Sequence, residues 1–397
     1  MSAEAKRGAL AGVRVLDLTR LLPGAFCSQL LADMGAEVIK IEDPRGGDYN
    51  RGWEPKAKEE SGSFLLLNRN KKSVTLNLKS PEGHEAFRRL AATADILLEG
   101  FRPGVMDRLG LGYEALKAAN PRLIYCSISG FGQDGPLRLA PGHDINYLGI
   151  AGALQLFGKA GDGPMVPGLS IADVGGGSLM ASTGILAALY ARSTTGEGQH
   201  IDISMTDGAV AWLALHGADR LFGGIEPRGG ERPWIGQAPC YNIYRCADGR
   251  YVALGALEPH FWERFCELVD LPCDLRAHYP EGEEAERQRT ALQELFLTRS
   301  RDEWAAAGEA ADIPLTGVND MAEAFVHPQL VHREMLLEVE HPVEGTVPQL
   351  GFPIKLSATP CEIRMPPPRL GEHNEEVLSQ ARYSAAEIAA MRASGAI

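Results

Sequence analysis

VRVLDLTRLLPGAFCSQLLADMGAEVIKI, residues 13–41, decides the fold. The run 13–18 reads as a buried strand, Pro23 and Gly24 open a helical pattern through Met34 and Gly35, and 37–41 reads as a second strand. Strand, helix and strand over about thirty residues form a βαβ unit, with parallel strands and a right-handed crossover. The alternation continues outward with strands at 73–78, 96–99 and 123–129 and helices at 82–93 and 113–120. This is the layout of a doubly wound, Rossmann-like α/β domain with a parallel sheet.

Helical spacing resumes over 178–191, directly after Gly175, Gly176 and Gly177, and a strand follows at 199–203. The apolar run 205–222 reads as one helical connector, and 223–237, rich in Gly, Arg and Pro, as a loop. A smaller α+β unit opens with strands 241–244 and 251–256 across a turn at Asp248 and Gly249, then helices at 259–269, 283–298 and 301–311. Strand-like sequence covers 343–356, Pro366, Pro367 and Pro368 mark an extended crossing, and the last helix spans 385–393. The expected organisation is a large domain over 1–200, a linker over 201–237, a small domain over 238–330, and a segment over 331–397 that returns to the large domain.

With 397 residues the chain has room for two or three domains. Its hydrophobic and charged fractions, 45% and 23%, exclude bulk disorder. A net charge of -13 argues against nucleic-acid binding, which needs a basic field. Seven scattered cysteines without CxxC or Cys/His spacing argue against a disulfide framework or a metal site, and for a reducing compartment. Residues 1–10 lack an apolar leader core, and no uninterrupted apolar run reaches about 18 residues, so the expectation is a cytoplasmic protein without a membrane span. The first strand–helix turn, TRLLPGAFCSQ, carries no GxGxxG, which disfavours NAD despite the Rossmann-like pattern. Neither GxxxxGK[ST] nor GxSxG occurs.

Four segments hold candidate chemistry. In GHDINYLGIAG (142–152) a His-Asp pair precedes an apolar helical run. Either His143 faces a cleft, or Asp144 is an ordinary N-cap beside an exposed histidine. In IADVGGGSLM (171–180) Asp173 precedes three glycines at a helix start, where bare amides suit an anion or an enolate oxygen. The competing reading is a cap with glycines that permit close packing. The basic residues Arg69, Lys71, Lys72, Arg102 and Arg108 adjoin strand ends, where α/β sheets bind ligands, and as a group suggest phosphate. In GALEPHFW (255–262) Glu258 follows a strand.

These segments, together with LNRNKKSVTLNLK (67–79), ISGFGQDGP (128–136), TGEGQHIDISMTDG (195–208) and LGEHNEEVL (370–378), resemble the CoA transferase family III (CaiB/BaiF) chains over nearly the full length. Within that family the chain is most similar to the α-methylacyl-CoA racemase branch. The resemblance implies an interlocked homodimer, with an active site between the large domain of one chain and the small domain of the other. It implies His143 and Asp173 as the acid/base pair, supported by Glu258 of the partner chain. It places Arg102, with Arg108, near the CoA phosphates, and Lys40, Arg69, Lys71 and Lys72 more loosely there. Tyr147, Met205 and Tyr241 match acyl-pocket positions. The implied reaction is inversion at the α-carbon of a 2-methyl-branched acyl-CoA thioester in lipid metabolism, with no metal and no cofactor beyond the CoA of the substrate. The alternative is a CoA transferase that forms a mixed anhydride at Asp173. One departure stands out: racemases usually carry Asn where this chain has Leu169.

Overall fold

The protein is described by a computed structural model covering residues 8–275 and 278–397. The reading of 1–10 as lacking a leader therefore falls mostly outside the described residues. Six parallel strands form the main sheet: β1 (Arg14–Asp17), β2 (Glu37–Glu42), β3 (Lys71–Thr75), β4 (Ile96–Glu99), β5 (Ile124–Ser129) and β6 (His200–Ser204). Their order is β3-β2-β1-β4-β5-β6. The order reverses between β1 and β4, so a crevice opens outside the carboxyl ends of those two strands, where doubly wound sheets bind ligands. Continuous apolar runs explain the parallel arrangement. The β4 sequence ILLE and the β5 sequence IYCSIS are buried at every position, as strands covered on both faces must be.

The first βαβ unit forms as the sequence reads it, with helix α1 (Leu21–Asp33) between β1 and β2. Four elements differ from expectation. Strand β3 begins at Lys71 rather than 73, because both lysine side chains find partners inside the fold. The helix expected after the three glycines instead contains them. It runs from Ala172, in π-helical geometry to Leu179, and continues as an α-helix over Met180–Thr195. The connector over 205–222 breaks at Trp212 and Leu213 into two helices, Met205–Ala211 and Ala214–Gly223. Near the C-terminus an antiparallel hairpin, Leu336–His341 with Gly345–Leu350, stands where strand-like sequence was placed at 343–356. Its first strand, LLEVEH, carries the apolar/acidic alternation of a half-exposed strand and lies outside the expected range.

The chain divides into two compact units. One comprises the described residues up to Ala151, Leu169–Trp212 and Pro328–Ile397; the other comprises Gly152–Gly168 and Leu213–His327. In the first, Val377, Ile388 and Met391 of the C-terminal segment join the core formed by Leu16, Ile39 and Leu97. The second is built on an antiparallel sheet of Tyr241–Arg245, Tyr251–Gly255 and Leu315–Gly317, packed by Phe265, Phe296 and Trp304. Helix Ala172–Thr195 has the length and apolar composition to cross a membrane. Here it packs against α1 and β5, with Ala181, Ile185 and Ala188 buried. All seven cysteines are free thiols.

The π-helical segment lies against the Met205–Ala211 helix at two glycines. A Cβ added to Gly208 would sit 2.3 Å from Gly176 Cα, and one added to Gly176 would sit 2.5 Å from the Met205 carbonyl oxygen. Neither approach tolerates a side chain. Gly208→Ala is expected to destabilise the protein by about 1–3 kcal/mol, the usual result of overpacking. A lowered urea midpoint would show it; a midpoint equal to that of the wild type would contradict the contact.

Candidate active site

His143 and Asp173 lie on separate segments joined by one side chain. Asp144 opens the Asp144–Ala151 helix, and its carboxylate accepts the Asp173 main-chain N–H at 2.9 Å. Asp144 thus reaches across to the other segment. The His143 N–H donates back to Asn146 Oδ1 at 3.0 Å, which fixes the turn that presents the imidazole to solvent. His143 is exposed and Asp173 half-buried.

Burial and the nearby Asp144 carboxylate raise the Asp173 carboxyl to about 6, with His143 drawing it back down. Desolvation and a like charge both disfavour ionisation, and the imidazole is close enough to count. A carboxyl poised there exchanges protons near neutral pH. Tyr147 is buried behind the pair. Its hydroxyl donates to the Gly142 carbonyl, its ring packs edge-on against Phe131, and burial followed by Asp173 and Asp144 pushes it up to about 12. Met205 is also buried, against Gly176 and Gly177. Both residues pack against the segments that carry His143 and Asp173.

The amides nominated for an enolate oxygen are partly spoken for. That of Asp173 donates to Asp144, and that of Val174 to the Ser170 carbonyl at 3.1 Å. Leu169, at the departure from the racemase pattern, is 77% exposed and so contributes no buried contact.

The basic residues separate into two groups, and this corrects the picture of one phosphate cluster. Lys40, Arg69 and Lys71 are interior, at 0%, 2% and 0% exposure, and each has its own partners. Lys40 Nζ meets Asp48 Oδ2 and the Thr19 carbonyl, both at 2.8 Å. Arg69 grips Asp33 with both Nε and Nη2, at 3.0 and 2.7 Å. Lys71 Nζ donates to the Ala25 carbonyl and Asn68 Oδ1, both at 2.9 Å, and lies 3.6 Å from Asp17. Burial drives the Lys71 ammonium down to about 8, with Asp17 opposing. For Lys40 burial is overcome by Asp17 and Asp48, which hold it above its ordinary value. Removing one partner from such pairs would strand a buried charge, so these groups are committed to the fold. Lys72 is half-buried between Glu37 and Glu376, at 2.8 and 2.7 Å. Arg102 and Arg108 are exposed, and their hydrogen bonds among the described residues are main-chain ones: the Arg102 carbonyl accepts the Val105 N–H, and the Arg108 N–H donates to the Gly104 carbonyl, both at 3.1 Å.

A hollow of about 300 Å³ occupies the crevice at the strand ends. Leu18, Ile41, Leu76 and Phe101 give it apolar walls; Arg20, Arg45 and Lys79 bring positive charge, and Glu42 and Asp43 bring carboxylates, Asp43 pairing with Arg45 at 3.2 Å. Arg102 follows Phe101 directly, and Arg108 stands between the lining residues Val105 and Leu109 in sequence. Sequence reasoning missed Arg20, Arg45 and Lys79. Arg20 sits in the β1–α1 turn, where no motif marks a lone arginine. The α1 N-terminus is not open to a ligand's phosphate: the Leu21 N–H donates to Asp48 Oδ1 at 3.1 Å. An internal carboxylate takes the place that pyrophosphate holds in dinucleotide-binding folds, consistent with the absent GxGxxG.

Glu258 and Tyr241 belong to the second unit. Glu258 is exposed at the N-cap of the Pro259–Leu268 helix, and its side chain makes no capping bond. Tyr241 lines a hollow of about 580 Å³ with Trp234, Ile235, Ile243 and Leu254. Among the described residues no group of three or more His, Cys, Asp or Glu side chains could hold a metal ion.

Comparison with known proteins agrees with this architecture. The family model described as "CoA-transferase family III" matches residues 10–374. A human protein named alpha-methylacyl-CoA racemase is 36% identical over 382 residues, covering 96% of this chain and 95% of its own. A human succinyl-CoA:glutarate CoA-transferase is 33% identical over 398 residues, covering 98% and 90%. The crystal structure of a CaiB/BaiF family protein from Brucella suis superimposes with a TM-score of 0.82 at 32% identity, covering 94% of this chain and 100% of that one. The relatives thus include both racemases and CoA transferases, and the chain belongs to CoA-transferase family III.

Proposed function

We propose that the protein inverts the α-carbon of 2-methyl-branched acyl-CoA thioesters, with His143 and Asp173 as the two acid/base groups. The observation that carries this reading is the Asp173 carboxyl, raised to about 6 by burial and Asp144 and placed within electrostatic reach of the His143 imidazole. A thioester α-proton is too weakly acidic to leave unaided. Inversion needs one group to remove it from one face while the other returns a proton to the opposite face. Two chemically different groups on two segments suit that division. The similarity to a racemase at 36% identity is compatible with this assignment, and an acyl-CoA transferase at the same identity makes the transferase the reading to test against.

The hollow at the β1/β4 crevice is the proposed seat of the CoA nucleotide, with Arg20, Arg45, Lys79, Arg102 and Arg108 facing its phosphates. Glu258 is proposed to support His143 from a partner chain. CoA enters as part of the substrate, and no further cofactor is invoked. We also propose a homodimer. The Ala214–Gly223 helix has no buried residue, and Leu221 and Phe222 are 78% and 90% exposed, an apolar face that a second copy would cover. Sedimentation is expected to show a dimer at micromolar concentration; a stable monomer would contradict it.

The reaction is tested with purified protein, a 2-methylacyl-CoA and deuterium oxide. The wild type is expected to wash deuterium into the α-position without an acceptor acid. Asp173→Asn and His143→Gln should each cut inversion by about 10²–10⁴-fold, the usual loss of a general acid–base group. Exchange on the face still served survives, with opposite enantiomer preference in the two variants. A transferase would instead require a free carboxylic acid and yield an acyl-enzyme that hydroxylamine traps. That outcome, or inversion at the wild-type rate in either variant, refutes the assignment.

A further inference from the structure

The β1–α1 turn is held by two side chains that the proposed chemistry does not use. Leu21, the first residue of α1, lies at φ 63°, a left-handed conformation strained for any residue with a Cβ. Such strain persists only where the surroundings over-determine it. Asp48 and Tyr49 supply that determination. Asp48 Oδ1 accepts the Leu21 N–H at 3.1 Å, and the Tyr49 hydroxyl accepts Arg20 Nη1 at 2.8 Å. Asp48 is itself fixed in the interior. Its main-chain N–H donates to Glu42 Oε2 at 3.0 Å, and Lys40 Nζ faces its other oxygen at 2.8 Å.

The turn has two ends with different neighbours. At one, the Arg20 guanidinium lies 5.5 Å from the Phe101 ring centre, and both residues line the hollow at the strand ends. At the other, the Pro23 carbonyl accepts the Ser178 hydroxyl at 2.6 Å. The same hydroxyl lies 3.2 Å from the Asp173 carbonyl oxygen, inside the π-helical segment.

We propose that Asp48 and Tyr49 are positioning residues: they clamp the strained Arg20–Leu21 turn, so that one end presents Arg20 to CoA and the other steadies the main chain that carries Asp173. The inference rests on the reading that the hollow binds CoA. Neither residue touches the reacting atoms, so the clamp acts through Arg20 and Ser178.

The test pairs calorimetric titration of free CoA with kcat and KM for α-proton exchange. Tyr49→Phe, an exposed change that removes one hydroxyl, is expected to weaken CoA about tenfold, a modest fraction of a charge-assisted contact, and to move KM more than kcat. Asp48→Asn is expected to lower kcat as well as weaken CoA. In a Leu21→Gly background the kcat loss should shrink, because glycine adopts the left-handed conformation without holding. Wild-type CoA affinity in Tyr49→Phe overturns the proposal, as does an equal kcat loss from Asp48→Asn in both backgrounds. If Asp48→Asn does not fold, Tyr49→Phe decides alone. Failure of the wild type to bind CoA would sink the underlying reading, whereas wild-type binding with unaffected variants would sink only the clamp.

Discussion

One hydrogen bond organises the candidate site: the Asp144 carboxylate accepts the main-chain N–H of Asp173 at 2.9 Å. It ties the turn bearing His143 to the π-helical segment bearing Asp173. It also sets a negative charge beside a carboxyl that is already half-buried. Geometry and proton affinity thus share a source, since the group that locates Asp173 also helps raise it to about 6. The segment can lie where this bond needs it because Gly176 and Gly208 let two helices meet backbone to backbone. A π-helical stretch at this point fits the association of such geometry with functional sites.

The same economy of internal charge governs the nucleotide end of the sheet. In dinucleotide-binding folds a glycine turn leaves the first helix N-terminus open to pyrophosphate. Here Asp48 occupies the α1 N-terminus, Lys40 neutralises Asp48, and Asp17 lies beside Lys40 and Lys71. Burial opposes the ionisation of Asp17, but these two lysines hold it below its ordinary value. The anion-binding capacity of the helix end is spent internally, and positive charge around the hollow comes from exposed side chains such as Arg20 and Lys79.

The sheet was legible because its signal is local. β1, β2, β4 and β5 are short, mainly apolar and buried runs, whereas β3 (KKSVT) and β6 (HIDIS) carry polar residues and lie at the sheet's two edges. The edge of β3 was misplaced for a related reason. In the sequence Lys71 and Lys72 belong to the basic group that suggests phosphate, whereas the fold pairs them with Asn68 three residues away and with Asp17, Glu37 and Glu376 from distant positions. No pattern within one segment announces such partners. The family resemblance places Arg69 and Lys40 only loosely near the CoA phosphates, and their pairing with Asp33 and Asp48 is visible only in three dimensions. His143 and Asp173 stood out through their motifs. Asp144 was weighed only as a cap for its own helix, because its actual partner lies 29 residues away. Of the two readings of the glycines at 175–177, close packing is the one the contacts match, although the helix has already begun at Ala172 rather than opening after them.

The central claim is that Asp173 works as a base whose proton affinity is set in part by Asp144. The most direct test is the pH dependence of α-proton exchange on the face served by Asp173, in wild type and in Asp144→Asn. Exchange requires the carboxylate, so the rate should rise with pH through an inflection at about 6 in the wild type. An asparagine keeps an oxygen to accept the Asp173 N–H but removes the like charge, so the inflection should move to lower pH. An inflection that stays in place after the substitution, or a wild-type rate with no inflection in the acid range, would contradict the account.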